Sequence, residues 1–210
     1  MRVSNVADLY KALAEIEAIR GQMARAMAFR GYGPATLATT GILALAAATV
    51  QSNWIKSPAH DIRSYLTLWI ATAAISVIII GSETVTRTRR IHSGLAGEMI
   101  HSAVEHFLPA LVAGSLLTAV LVYYAPLSLW MLPGLWQVVF SLGVFSSCQF
   151  LPRAIFAVGV WYLAAGLICL ALGNGAWTLS PWIMGVPFGV GQLLVAVVLQ
   201  LDYRTADEES

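Results

Sequence analysis

Apolar residues fall into six charge-free blocks, near 35–54, 65–81, 107–125, 129–150, 154–173 and 182–201, with polar connections between them. Each block approaches the ~20 residues that carry a helix across ~30 Å of hydrocarbon. Inside lipid every backbone N–H and C=O must be paired within the protein, which an open sheet cannot do, so the blocks predict six transmembrane helices. The expected fold is all-α and polytopic. Short connections near 55–64, 126–128 and 174–181 arrange the spans as three antiparallel hairpins. The first thirty residues carry charges throughout and lack a compact apolar stretch with a small-residue cleavage site, so the first span is expected to act as its own insertion signal.

Composition agrees with this pattern. Hydrophobic residues make up 58% of the 210 and charged residues 11%, against roughly 45–50% and 25% in soluble domains. A net charge of +1 leaves no broad nucleic-acid footprint. Arg20, Arg25, Arg30, Arg87, Arg89, Arg90, Arg153 and Arg204 collect on one side of the spans, and Lys56 and Arg63 on the other. The positive-inside rule makes the arginine-rich side cytoplasmic, with both termini. Trp54, Trp130, Trp177 and Trp182 then lie near the outward ends, as an aromatic belt requires.

Before the first span, residues 5–29 read as an amphipathic helix. Asn5 can cap it, and Val6, Leu9, Leu13, Ile16, Met23 and Met27 recur at helical spacing, interrupted by Arg20 and Gly21. Such an arm can lie among headgroups, pair with a second copy, or dock a cytoplasmic partner, for which Leu9, Leu13, Ile16, Met23 and Met27 are the candidate contacts. RGYGP at 30–34 is a turn signal. The chain therefore divides into an arm and turn (1–34), a six-span domain (35–201) and an acidic cytoplasmic tail (202–210), whose residues 205–210 are expected to be solvated and irregular.

Few residues carry candidate chemistry. Glu98, His101 and Glu105 share one helical stripe with His106 at its edge. The Glu98-x-x-His101 spacing suits a carboxylate-bridged metal site, although such sites draw on a second helix. Acids complementing the start of a helix dipole beside Arg87, Arg89 and Arg90 explain the same residues without a ligand, and the histidines also suit proton handling. His60 lies on the opposite side, where Asp61 is placed to cap the second span. Cys148 and Cys169 lie in or at the edge of spans, where packing is the expected role.

Gln137 and Gln192 are amides expected well inside the membrane, bonded between helices or lining a small polar cavity. Pro133-Gly134 and GVPFGVG at 185–191 suggest interruptions of the fourth and sixth spans, or close helix contacts through Gly185 and Gly189. A 52-residue shift superposes Leu111, Gly114, Ser128 and Trp130 on Leu163, Gly166, Ser180 and Trp182, as a duplicated hairpin would. No phosphate-binding loop, HExxH, GxSxG or CxxC occurs. Neither enzymatic activity nor a cofactor is expected.

With its arm, the RGYGP turn, FLPALVAGSLLTA at 107–119 and LPGLW at 132–136, the chain resembles uncharacterised bacterial six-span integral membrane proteins, similar to ones often encoded beside small winged-helix regulators. The resemblance implies a six-span fold in the bacterial inner membrane and a cytoplasmic regulator as partner, and transfers no catalytic or binding residue. The leading expectation is a sensory or interaction protein coupling the bilayer to that partner. Its rivals are a small transporter or channel subunit for a neutral or lipid-like substrate, and a metal-binding membrane protein using the Glu98/His101/Glu105/His106 cluster. Six short spans enclose little interior, so a homo-oligomer is compatible with every reading.

Overall fold

A computed structural model describes residues 33–208 except 56, 59, 92–95, 149–153, 174 and 176; of 84, 87–91, 96–104, 106 and 202–208 it describes the backbone alone. Among these residues six α-helices follow one another: α1 (Pro34–Trp54), α2 (Ile62–Ile91), α3 (Ala96–Tyr124), α4 (Leu132–Ser147), α5 (Ile155–Ala171) and α6 (Pro181–Glu208). A short 3-10 helix, Pro126–Met131, leads into α4. No strand occurs among the described residues. Five segments are long and apolar enough to cross a membrane, namely Pro34–Trp54, Ile62–Glu83, Phe107–Tyr124, Pro126–Ser147 and Pro181–Leu201, and Ile155–Ala171 is a shorter apolar helix.

Local chemistry sets the helix ends. Pro34 and Pro133 stand in first turns, where a missing N–H breaks no bond. The Asp61 carboxylate accepts from the Ser64 N–H at 3.3 Å, the capping role expected of it. Past α5, Gly173 takes φ +69°, a left-handed conformation that suits glycine, and its N–H reaches the Leu170 carbonyl at 3.2 Å.

Every helix packs on its sequence neighbours, and α1 closes the ring against α6. The most extensive contacts are α1 with α6 and α4 with α5; α2 with α3 is the slightest around the ring. Glycines explain the two strong seams. A Cβ at Gly185 would lie 2.5 Å from Ala48 Cβ, and one at Gly166 would lie 2.7 Å from the Gly134 carbonyl oxygen. Helices without side chains at the crossing approach closely, and dispersion acts over the whole contact. The Gly185/Gly189 pair therefore serves helix contact.

Three expectations change. α6 runs unbroken through Pro187, so the sixth span is not interrupted. Pro133-Gly134 stands where the 3-10 turn becomes α4, at a helix start instead of a break. α6 also continues to Glu208, so most of the tail expected to be irregular is helical; adding a residue to an existing helix has no nucleation cost. Residues 1–32, with the arm positions Leu9, Leu13, Ile16, Met23 and Met27, lie outside the described residues.

Candidate functional site

In hydrocarbon, each polar side chain must find a partner inside the protein. The hydroxyls do so locally: Thr39, Thr49, Thr72, Ser76, Ser115, Thr118 and Ser147 each donate to the carbonyl four residues back, at 2.7–2.9 Å. Amides and indoles are too large for that device and cross to other helices. Trp69 Nε1 donates to Gln51 Oε1 (2.7 Å), and Trp136 Nε1 donates to Thr118 Oγ1 (2.8 Å), tying α2 to α1 and α4 to α3.

The remaining cross-helix donors converge on α6 and the turn that leads into it. Gln51 Nε2 reaches the Leu179 carbonyl (2.7 Å), Gln137 Nε2 the Ile183 carbonyl (2.8 Å) and Trp161 Nε1 the Pro187 carbonyl (3.0 Å). These acceptors stand four residues apart, one turn each. One is freed by a proline and one by the way the helix starts. Pro187 has no N–H to give the carbonyl four residues behind it, so Ile183 O takes the Gln137 amide instead. Ahead of α6, the Ile183 N–H goes to Ser180 O (3.2 Å), and Leu179 O is left for Gln51. The start of α6 and the turn before it thus present a ladder of carbonyls held by α1, α4 and α5.

Around the ladder the interior is filled with aromatic side chains. Phe140 of α4 meets Phe107, Tyr162 and Phe188 at ring-centroid distances of 5.4, 4.7 and 5.3 Å, all edge to face. Tyr65 and Trp69 enter from α2 against Ala47, Ala48 and Met184. Several polar atoms here are buried without a partner: the hydroxyls of Tyr65 and Tyr162 and the Oε1 atoms of Gln137 and Gln192. Gln137 therefore bonds between helices through one end of its amide, while Gln192, beside Gly41 of α1, leaves its carbonyl oxygen unpaired.

Gln51 was not singled out by the sequence, yet it is fully buried and bonded at both ends. The available signal was its face: Leu37, Ala44, Ala48 and Gln51 are all buried on one side of α1. The Glu98, His101, Glu105 and His106 positions all fall within α3, since that helix starts at Ala96. Glu105 is exposed, and the other three side chains lie outside the described residues. Among the described residues no group of three or more His, Cys, Asp or Glu side chains gathers as a metal site. Cys148 and Cys169 are free thiols, Cys148 packing beside Val144 and Ile155. At the helix ends remote from the arginine-rich side Trp54, Trp177 and Trp182 are exposed, while Trp130 is half-buried.

No family model, curated protein or solved structure matches this chain.

Proposed function

We propose that the chain is a sensory or interaction protein of the bacterial cytoplasmic membrane, with three antiparallel hairpins, both termini cytoplasmic, and a face that couples the bilayer to a soluble regulator. The observation behind this reading is an asymmetry of helix length. On the arginine-rich side α2 runs on from Glu83 to Ile91, α3 begins at Ala96 well before its apolar segment starts at Phe107, and α6 continues from Leu201 to Glu208. Each extension is about two to three turns. At the other ends α1 stops at Trp54 and α3 at Tyr124, flush with their apolar segments. Polar helical surface beside an amphipathic arm suits a soluble partner, and six filled helices suit an anchor. The experiment is a detergent pull-down from native cells comparing the full chain with one lacking residues 1–30. A soluble regulator retained by the first and lost from the second is expected; the same soluble proteins in both samples would remove the arm from the proposal.

A second reading, a carrier for a small neutral substrate, is favoured by the unpaired oxygens of Tyr65, Gln137, Tyr162 and Gln192. The two readings predict opposite signs for one substitution. In a dry, packed bundle Tyr162→Phe removes a buried hydroxyl with no partner and should stabilise by about 1 kcal/mol. In a bundle where that hydroxyl holds a substrate or a water, the same change should destabilise. Stabilisation is the expected result, read from unfolding in mixed detergent micelles.

A further inference from the structure

Helix α2 is held unequally along its length. Near its Ile62 end Tyr65 and Trp69 are buried against Ala47, Ala48 and Met184. Trp69 Nε1 is bonded to Gln51, whose own amide reaches the Leu179 carbonyl, so this end is tied to α1 and to the approach to α6. Past Thr72 no described residue of α2 is buried. Ile75, Val77 and Ile78 are exposed, and a Cβ at Gly81 would meet nothing within 4 Å. The contact toward the Ile91 end is slight. Half-buried Ile80 rests against Leu37, Ala196 and Leu199, and Glu83 lies so close over Gly33 that a Cβ there would collide with Oε1. Glu83 Oε2 is buried with no hydrogen-bond partner, so parting this contact returns an oxygen to water and offsets the apolar packing that is lost. α3 adds little, its contact with α2 being the slightest around the ring.

Length sets the load on this element. The apolar segment Ile62–Glu83 has 22 residues, about 33 Å, whereas α5 has 17, about 25 Å. A bilayer that matches α5 is too thin for α2, and a helix too long for its hydrocarbon accommodates by tilting. α1 and α6 cannot tilt apart, since Gly185 and Gly189 seat them against Ala48 and Leu45. α2 is the long span that is loosely held. We infer that α2 is a lever that reads bilayer thickness: pinned at Tyr65 and Trp69, it lies along α1 in a thick bilayer and swings its Ile91 end away from α1 in a thin one. The helix is continuous from Ile62 to Ile91 and contains no proline, so its tilt carries into the extension beyond Glu83. This rests on the reading of the helical extensions as the coupling face, and it names the stimulus reported there, the acyl-chain length of the surrounding lipid.

The test is a pair of spin-label distances in the full chain, read by pulsed electron resonance in vesicles with no partner protein, so that it stands apart from any failure to find a regulator. One sample carries labels at Thr86→Cys and Phe156→Cys, the other at Arg63→Cys and Leu172→Cys, all exposed positions. Cys148 is replaced by Ala, and buried Cys169 is closed to the label and stays. Thr86 lies 17 residues beyond Trp69, about 25 Å, so a tilt of about 10° moves it by about 4 Å. The 86–156 distance should lengthen by about 4 Å from dierucoyl- to dimyristoleoyl-phosphatidylcholine, while the 63–172 distance stays within about 1 Å and shows that the bundle is folded. Ile80→Ala, which weakens the contact with Leu37 and Leu199, should lengthen the 86–156 distance in the thick bilayer as well. Ile78→Ala, at an exposed site, should not. Equal 86–156 distances in the two lipids, an equal change in both pairs, or equal effects of the two alanine variants overturns the inference.

Discussion

Gly166→Ala is expected to destabilise the protein by about 3 kcal/mol or more, while Gly114→Ala is neutral or stabilising by up to about 1 kcal/mol. The new Cβ at 166 would stand 2.7 Å from the Gly134 carbonyl oxygen and 3.0 Å from the Val138 nitrogen. Both are backbone atoms of α4, so no side chain can swing away and the helices must part along their closest seam. At 114 the nearest atom is Val139 Cγ1 at 3.8 Å, an ordinary contact, and alanine adds helix propensity. The pair is informative because the 52-residue shift superposes these two glycines. Unfolding titrations in mixed micelles measure both. Equal effects at the two positions would mean that the α4–α5 seam does not depend on the close approach.

Gln137→Leu is expected to lose about 1–3 kcal/mol, and the loss should largely vanish when Pro187→Ala is present. The reason is the carbonyl of Ile183. With proline at 187 that oxygen has no helical N–H and depends on Gln137 Nε2 at 2.8 Å. Alanine at 187 supplies the N–H four residues on, so the carbonyl is satisfied within α6. The leucine then removes only an amide whose Oε1 was unpaired. A double-mutant cycle isolates the coupling. Additive effects would show that Gln137 acts through packing and not through the carbonyl that Pro187 frees.

The spans were legible because a charge in hydrocarbon is so costly that charge-free blocks mark them to within about three residues. α1 begins and ends within one residue of its block. The extensions of α2 and α6 were not legible, since residues 84–91 and 202–208 carry no sustained apolar run and are helical because they continue long helices, whereas the helical stripe of Glu98, His101 and Glu105 already marked the lead-in to α3. Proline at 187 read as a break because its compensation lies 50 residues earlier, at Gln137. The importance of Gln51 was hidden for a similar reason: its partners, Trp69 and Leu179, belong to α2 and the approach to α6. Glycine spacing marked 185 and 189 as contact positions, but which glycine meets backbone and which meets open space is a property of neighbours. Gly166 and Gly114 align in sequence and differ completely in packing.

The reading rests above all on sidedness, with the helical extensions and the arm on the cytoplasmic face and the tryptophan ends outside. The most direct measurement is a pair of dual-compartment reporters, one fused at Lys56 between α1 and α2 and one at Arg89 on the extension of α2. The account predicts a periplasmic signal from the first and a cytoplasmic signal from the second. The reverse pattern would put the extensions outside and contradict a cytoplasmic coupling role.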